Sequence, residues 1–287
     1  MKKIIIILCL CCVVTQLLAQ KHDLKKIAKA IQDEGETLYR YEWASWYGSD
    51  IFLEKYSNKR DRIAGYLSYD SGKGLVNIFI AKGANPKTLA TITFEYGFNR
   101  HKYVLDTTSR LLTKAEKELY TIRQTAIEAI KTDTTFKHFN NARLNPVPLI
   151  YKGVKKVYVL TGPNLSDVVL FGNDYQINFD KSDQIVSTQK LHNSLIPIEY
   201  SKKSADSIKT DLVSIHNHVK GKSEFITVTD VCTIMLYEKF TAWKQCIVMS
   251  ENYISIWDCE KNNLKIVTRE EWEKMYPVKN NLIPSAH

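Results

Sequence analysis

The sequence predicts an α+β protein. Short runs of β-branched and aromatic residues, separated by turn signals such as Asp70-Ser71-Gly72-Lys73-Gly74 and Gly83-Ala84-Asn85-Pro86, predict antiparallel strands. One capped amphipathic segment at 113–131 predicts a helix packed on them. Beyond it, further strands surround a short apolar stretch opened by Thr227-x-x-Asp230. The chain has 287 residues, 44% apolar and 25% charged, enough for one large domain or two ordinary ones.

In chain order, Lys2 and Lys3 precede the apolar run Ile4 to Val14, and Leu17-Leu18-Ala19 closes it. This pattern predicts a secretory signal peptide over 1–19, cleaved after Ala19. The run is shorter than the roughly 20 residues a spanning helix needs. The expected mature chain is therefore soluble and exported, periplasmic or extracellular, with no transmembrane segment. Leu24, Ile27, Ile31 and Leu38 recur at helical spacing, so 21–39 reads as an amphipathic helix, with Gly35 a weak point where it could break. Residues 40–106 read as strands: Tyr41 to Tyr47, Ile51 to Leu53, Ala64 to Tyr69, Leu75 to Ala81 and Leu89 to Tyr96. Thr113-x-x-Glu116 has capping-box spacing, and Ala115, Leu119, Ile122, Ala126 and Ala129 form the stripe behind it. The polar, proline-bearing segment 132–147 is the expected boundary, giving regions at 20–147 and 148–287. Strands then follow at Lys156 to Leu160, Val168 to Phe171, Tyr175 to Phe179 and Gln184 to Ser187, with Gly172-Asn173-Asp174 a turn.

Composition narrows the function. The net charge is +9 with lysines dispersed along the chain, which describes a solvated surface and predicts no nucleic-acid partner. Cys9, Cys11 and Cys12 fall in the first twenty residues. Cys232, Cys246 and Cys259 remain, an odd number that makes no disulfide framework. Nucleophile elbows, phosphate loops, dinucleotide fingerprints and H-E-x-x-H are absent. Trp43 and Trp46 read as core before they read as a sugar platform.

The chemistry gathers between residues 211 and 237. Leu212 to Val219 reads as a strand, so His216 and His218 share one face with Ser214. Two imidazoles on one face can chelate a metal. Thr227 would cap the following helix and place Asp230 in its first turn, where the carboxylate could serve as a third ligand. The same Thr-x-x-Asp spacing also describes a cap that needs no metal.

This order, with His216-Asn217-His218, a loop of eight residues, Thr227-x-x-Asp230, an apolar helix and then strands, resembles the JAB/MPN metallopeptidase family over roughly 150–265. The resemblance implies an α/β sandwich in the C-terminal half. It implies a zinc ion held by His216, His218 and Asp230, with Thr227 assisting an oxyanion. Val219 stands where that family carries proline, and Thr227 where it carries serine. No Glu occurs between Tyr151 and Ile198 to serve as the upstream general base; Asp167 and Asp174 are the available carboxylates. The expectation is an exported module that binds a protein or peptide partner without efficient catalysis. The alternative is a zinc-dependent peptidase or isopeptidase.

Overall fold

The computed structural model describes residues 2–200, 213–218 and 223–277, with side chains from residue 23 onward. The segment expected to be a signal peptide lies in the first turns of the N-terminal helix, and its side chains are outside the described residues. The fold is α+β.

The organising element is α1 (Lys2–Tyr56), a single helix where a helix followed by two strands was expected. Trp43, Ala44, Ile51 and Phe52 are buried, and their spacing follows the helical period. Trp43 packs on Tyr47 at i+4, and Phe52 on Tyr56. The aromatic residues that suggest strands here are paired along a helix, so tertiary packing overrides their β preference. Gly35 does not break α1. A Cβ there would sit 2.6 Å from Val231 Cγ1, so the glycine lets another helix approach closely.

After a short 3-10 turn at Ser57–Arg62 come β1 (Ile63–Asp70), β2 (Leu75–Ala81), β3 (Thr88–Phe94) and β4 (Tyr103–Asp106). They form an antiparallel meander in that order. Helix α2 (Lys114–Thr132) carries the expected capping box. Strand β5 (Ala142–Tyr151) begins inside the segment read as a polar boundary. Its Pro146 and Pro148 argue against a central strand, but β5 is an edge of its sheet, where missing donors are tolerated. That sheet has the order β5-β6-β8-β9, with β6 (Val154–Pro163), β8 (Tyr175–Phe179) and β9 (Ile185–Lys190). Strands β7 (Val168–Gly172) and β10 (Leu195–Glu199) pair separately.

The last sheet is β11-β12-β13-β14. Strand β11 (Val213–Asn217) runs parallel to β12 (Gln245–Met249), and α3 (Val228–Tyr237) makes the crossover. Strands β13 (Tyr253–Asp258) and β14 (Asn263–Thr268) follow antiparallel, and α4 (Arg269–Met275) closes the described chain. One hydrophobic cluster joins both sides of the expected boundary: Leu38, Trp43 and Phe94 pack in the same core as Val231, Cys246 and Trp257. Helix α1 is pinned to the far regions by polar contacts as well. Lys156 Nζ and Tyr158 Oη both donate to Glu34 Oε1, and Gln32 Oε1 accepts from the Leu264 N–H on β14. Among the described residues, no helix is long and apolar enough to cross a membrane.

Candidate metal centre

Strand β11 alternates as its sequence requires, and the polar side is the one turned inward. Ser214 and His216 are buried, as is His218 just past the strand end, while Ile215 is 58% exposed. The ladder continues past β11, because the His218 N–H donates to Met249 O at 2.8 Å. That bond fixes where the second imidazole emerges.

The loop after β11 leads into α3, whose N-terminus is built as the sequence predicts. The Thr227 hydroxyl accepts from the Asp230 N–H at 3.1 Å, and the Thr227 N–H donates to Asp230 Oδ2 at 2.9 Å. The box aims the Asp230 carboxylate at the strand end, and the positive end of the helix dipole favours its charge. His218 Nε2 lies 3.4 Å from Asp230 Oδ2, and His216 Nε2 lies 3.6 Å from Oδ1. The structure therefore brings both expected histidines to the expected carboxylate.

It also brings a fourth donor that the sequence reading missed. His192 sits in the connection between β9 and β10, and its Nε2 lies 3.2 Å from Asp230 Oδ1. His192, His218 and Asp230 could hold a metal ion: their ligand atoms all lie within 4.8 Å of one another. Isolated between Leu191 and Asn193, His192 has no partner at a ligand spacing. The segment reaches the site because β10 pairs with β7 and pulls the chain back over it. Gly172, at the end of β7, adopts φ +88° and has no room for a Cβ against Ser194 O, which makes that turn specific to glycine.

Behind His192 stands Asp174, the first residue beyond the Gly172-Asn173 turn. Its Oδ1 accepts the Thr161 N–H at 2.8 Å, and its Oδ2 lies 3.8 Å from His192 Nδ1. Asp174 is thus on the side of the imidazole away from Asp230. Burial pushes its carboxyl up to about 7, against the pull of His192, the Thr161 N–H and the Thr229 hydroxyl. Burial would likewise raise Asp230, but the three histidines hold it well below the usual carboxylate range. Burial would lower His192, and the Asp230 carboxylate overrides it and raises the imidazole's pKa. Burial dominates at His216, brings it to about 4 and so leaves its ring neutral at neutral pH. A neutral imidazole has the lone pair that a metal requires.

The site carries an imbalance. His216 Nε2, His218 Nε2 and Asp230 Oδ1 are buried without a hydrogen-bond partner. Such groups are costly to leave unpaired. A tetrahedral ion with ligands at about 2.0–2.1 Å separates its donors by about 3.3–3.4 Å. The separations of 3.2 and 3.6 Å from His192 and His216 to Oδ1, and of 3.4 Å from His218 to Oδ2, are near that edge. The cavity beside His192, His216 and His218 measures about 20 Å³ and is walled by Phe171, Leu191 and Ile196. That is room for one water-sized species. A wider polar groove of about 570 Å³ runs past Leu191 and Thr227, but none of the four donors lines it.

Thr227 is buried, and its hydroxyl proton is given to Asp230 Oδ2 at 2.8 Å. Asp167 lies in the turn before β7 with φ +62°. No protein-family model, no curated protein and no solved structure matches the chain.

Proposed function

We propose that the chain is an exported binding module built around a buried zinc ion, held by His192, His216, His218 and Asp230. The carrying observation is the buried Asp230 carboxylate faced by His192 Nε2 at 3.2 Å, His218 Nε2 at 3.4 Å and His216 Nε2 at 3.6 Å, the last two without a hydrogen-bond partner. Three imidazole nitrogens with one carboxylate suit zinc by ligand type. Asp174 stands behind His192, its Oδ2 3.8 Å from Nδ1, on the side where a carboxylate commonly supports a metal-bound histidine. Thr227 positions Asp230 through the capping box.

Four protein ligands make a closed, structural site, whereas a hydrolytic zinc keeps one position for water. Three features support the closed reading. The small cavity admits no substrate. The Thr227 proton is committed to Asp230. The nearest other carboxylate, Asp174, stands behind a ligand rather than beside an open position. The JAB/MPN-like order of elements is then a scaffold whose metal serves stability, and whose role is to bind a protein or peptide. One observation favours the hydrolytic alternative: the group within 4.8 Å comprises His192, His218 and Asp230, and His216 could leave its place to water.

Metal analysis of the purified chain, with peptide and isopeptide hydrolysis measured on the zinc-loaded form, tests the reading. One tightly held zinc per chain without turnover is the expected result. Zinc-dependent hydrolysis that survives His216→Ala and is lost in Asp230→Asn would establish the alternative. A chain that binds no divalent ion would end both.

A further inference from the structure

A second site lies across the sheet, in the hairpin of β12 and β13. Cys246 on β12 opposes Trp257 on β13, and Gln245 opposes Asp258. The ladder runs one step further, because the Cys259 N–H donates to Lys244 O at 2.9 Å. Directly opposed residues share a face, and so do residues two apart on a strand. Cys246 and Cys259 therefore point to the same side as diagonal neighbours. Both pack against the same hydrophobic cluster, and the neighbouring Cys259 thiol together with burial pushes the Cys246 thiol far up. Cys246 is buried and Cys259 half-buried at the hairpin's end. Cys232 is buried in α3, in the core beneath.

We propose that Cys246 and Cys259 form an intrachain disulfide when the chain meets an oxidising thiol–disulfide pool. Diagonal neighbours on antiparallel strands lie about 7–8 Å apart at Cα, just beyond the usual disulfide range of about 4.4–6.8 Å. Cys259 stands just past the end of β13, where a small backbone shift closes the gap between two thiols on the same face. The reaction is thiol–disulfide exchange with a small-molecule or protein disulfide. The more accessible Cys259 attacks as thiolate, forms a mixed disulfide and releases one donor thiol. Cys246 then loses its proton and attacks Cys259 Sγ, expelling the second donor thiol. Two S–H bonds are broken and one S–S bond is formed in the chain, and the donor disulfide is reduced to two thiols. The odd count of 232, 246 and 259 resolves into one pair and one buried single thiol. Because β12 lies beside the histidine strand with Cys246 in register with Ser214, the bond would fasten the sheet that carries the metal ligands.

The test is oxidation of the full folded chain with excess oxidised glutathione, followed by acid quench, alkylation in denaturant and peptide mass mapping. The expected result is loss of alkylation at Cys246 and Cys259 together, with one linked peptide that dithiothreitol releases. Cys232→Ser should keep the link, and Cys246→Ser should leave Cys259 as a glutathione adduct. Full alkylation of both residues after oxidation, or a link from either to Cys232, would overturn the proposal. Neither outcome depends on whether metal is bound.

Discussion

Helices α2 and α3 open with the same device, yet their first turns face different surroundings. In α2 the Thr113–Glu116 box presents a buried carboxylate that accepts from Arg110 Nη1 and Nη2 at 2.7 Å each and from the Tyr69 hydroxyl at 2.7 Å. A permanent cation and a phenol satisfy both oxygens. In α3 the Thr227–Asp230 box presents its carboxylate to three imidazoles and, among the described residues, to no lysine or arginine. Its Oδ1 has no hydrogen-bond partner, and two of the facing nitrogens have none either. The cap is common to both helices, so the cap is no functional signal. The signal is a buried carboxylate that faces imidazoles, a group that could hold a metal ion.

The largest effect expected from that contrast is on metal affinity. Asp230→Asn keeps an acceptor for the Thr227 N–H but removes the ligand charge, and should abolish stoichiometric zinc in a metal-content assay. Glu116→Gln should leave zinc content unchanged. Next comes Asp174→Asn, which spares all four ligands and loosens the orientation of His192. It should weaken zinc by about 10–100-fold in competition with a chromophoric chelator. An unchanged affinity would remove Asp174 from the site.

Acid sharpens the comparison further. Burial would raise the Glu116 carboxyl, but Arg110, the Thr113 N–H and Tyr69 outweigh it and hold it at about 2. A depressed carboxylate contributes stability that is fully present above the unfolded pKa of about 4.3–4.5 and is lost as pH falls toward 2. The contribution is on the order of 2–3 kcal/mol at neutral pH. Urea unfolding between pH 2 and 7 should therefore show an acid limb that Glu116→Gln flattens. Asp174 acts in the opposite sense. Its raised pKa favours folding at low pH, and that advantage is lost as pH rises toward 7. The smallest effect belongs to the third box, Thr268 with Glu271 at the start of α4. Thr268→Ala should cost about 1 kcal/mol by the same unfolding assay, with zinc content untouched.

How much of this was legible in the sequence differs between the two helices and their surroundings. Period-two patterning and turn residues locate β2 and β8, and Thr-x-x-Glu or Thr-x-x-Asp locates α2 and α3, because each of those signals is local. The shared face of His216 and His218 follows from strand alternation alone. His192 could not be found in that way, since it joins the site only through the pairing of β10 with β7. Asp174 was visible as part of a turn but not as the residue behind a histidine. The second half of α1 was misread because Trp43, Trp46 and Tyr47 have the composition of a strand and the spacing of a helix. Strand β5 was hidden by two prolines that an edge position tolerates. Non-local pairing decided all four cases.

In the proposed zinc site His192 completes what the His216-x-His218 pair only begins. Zinc titration of the metal-free chain, beside His192→Ala, tests this most directly. The prediction is one zinc per chain in the parent protein and at least a hundredfold weaker binding in the variant, each folded by circular dichroism. Equal zinc affinity in the two, or no zinc uptake by the parent, would contradict it.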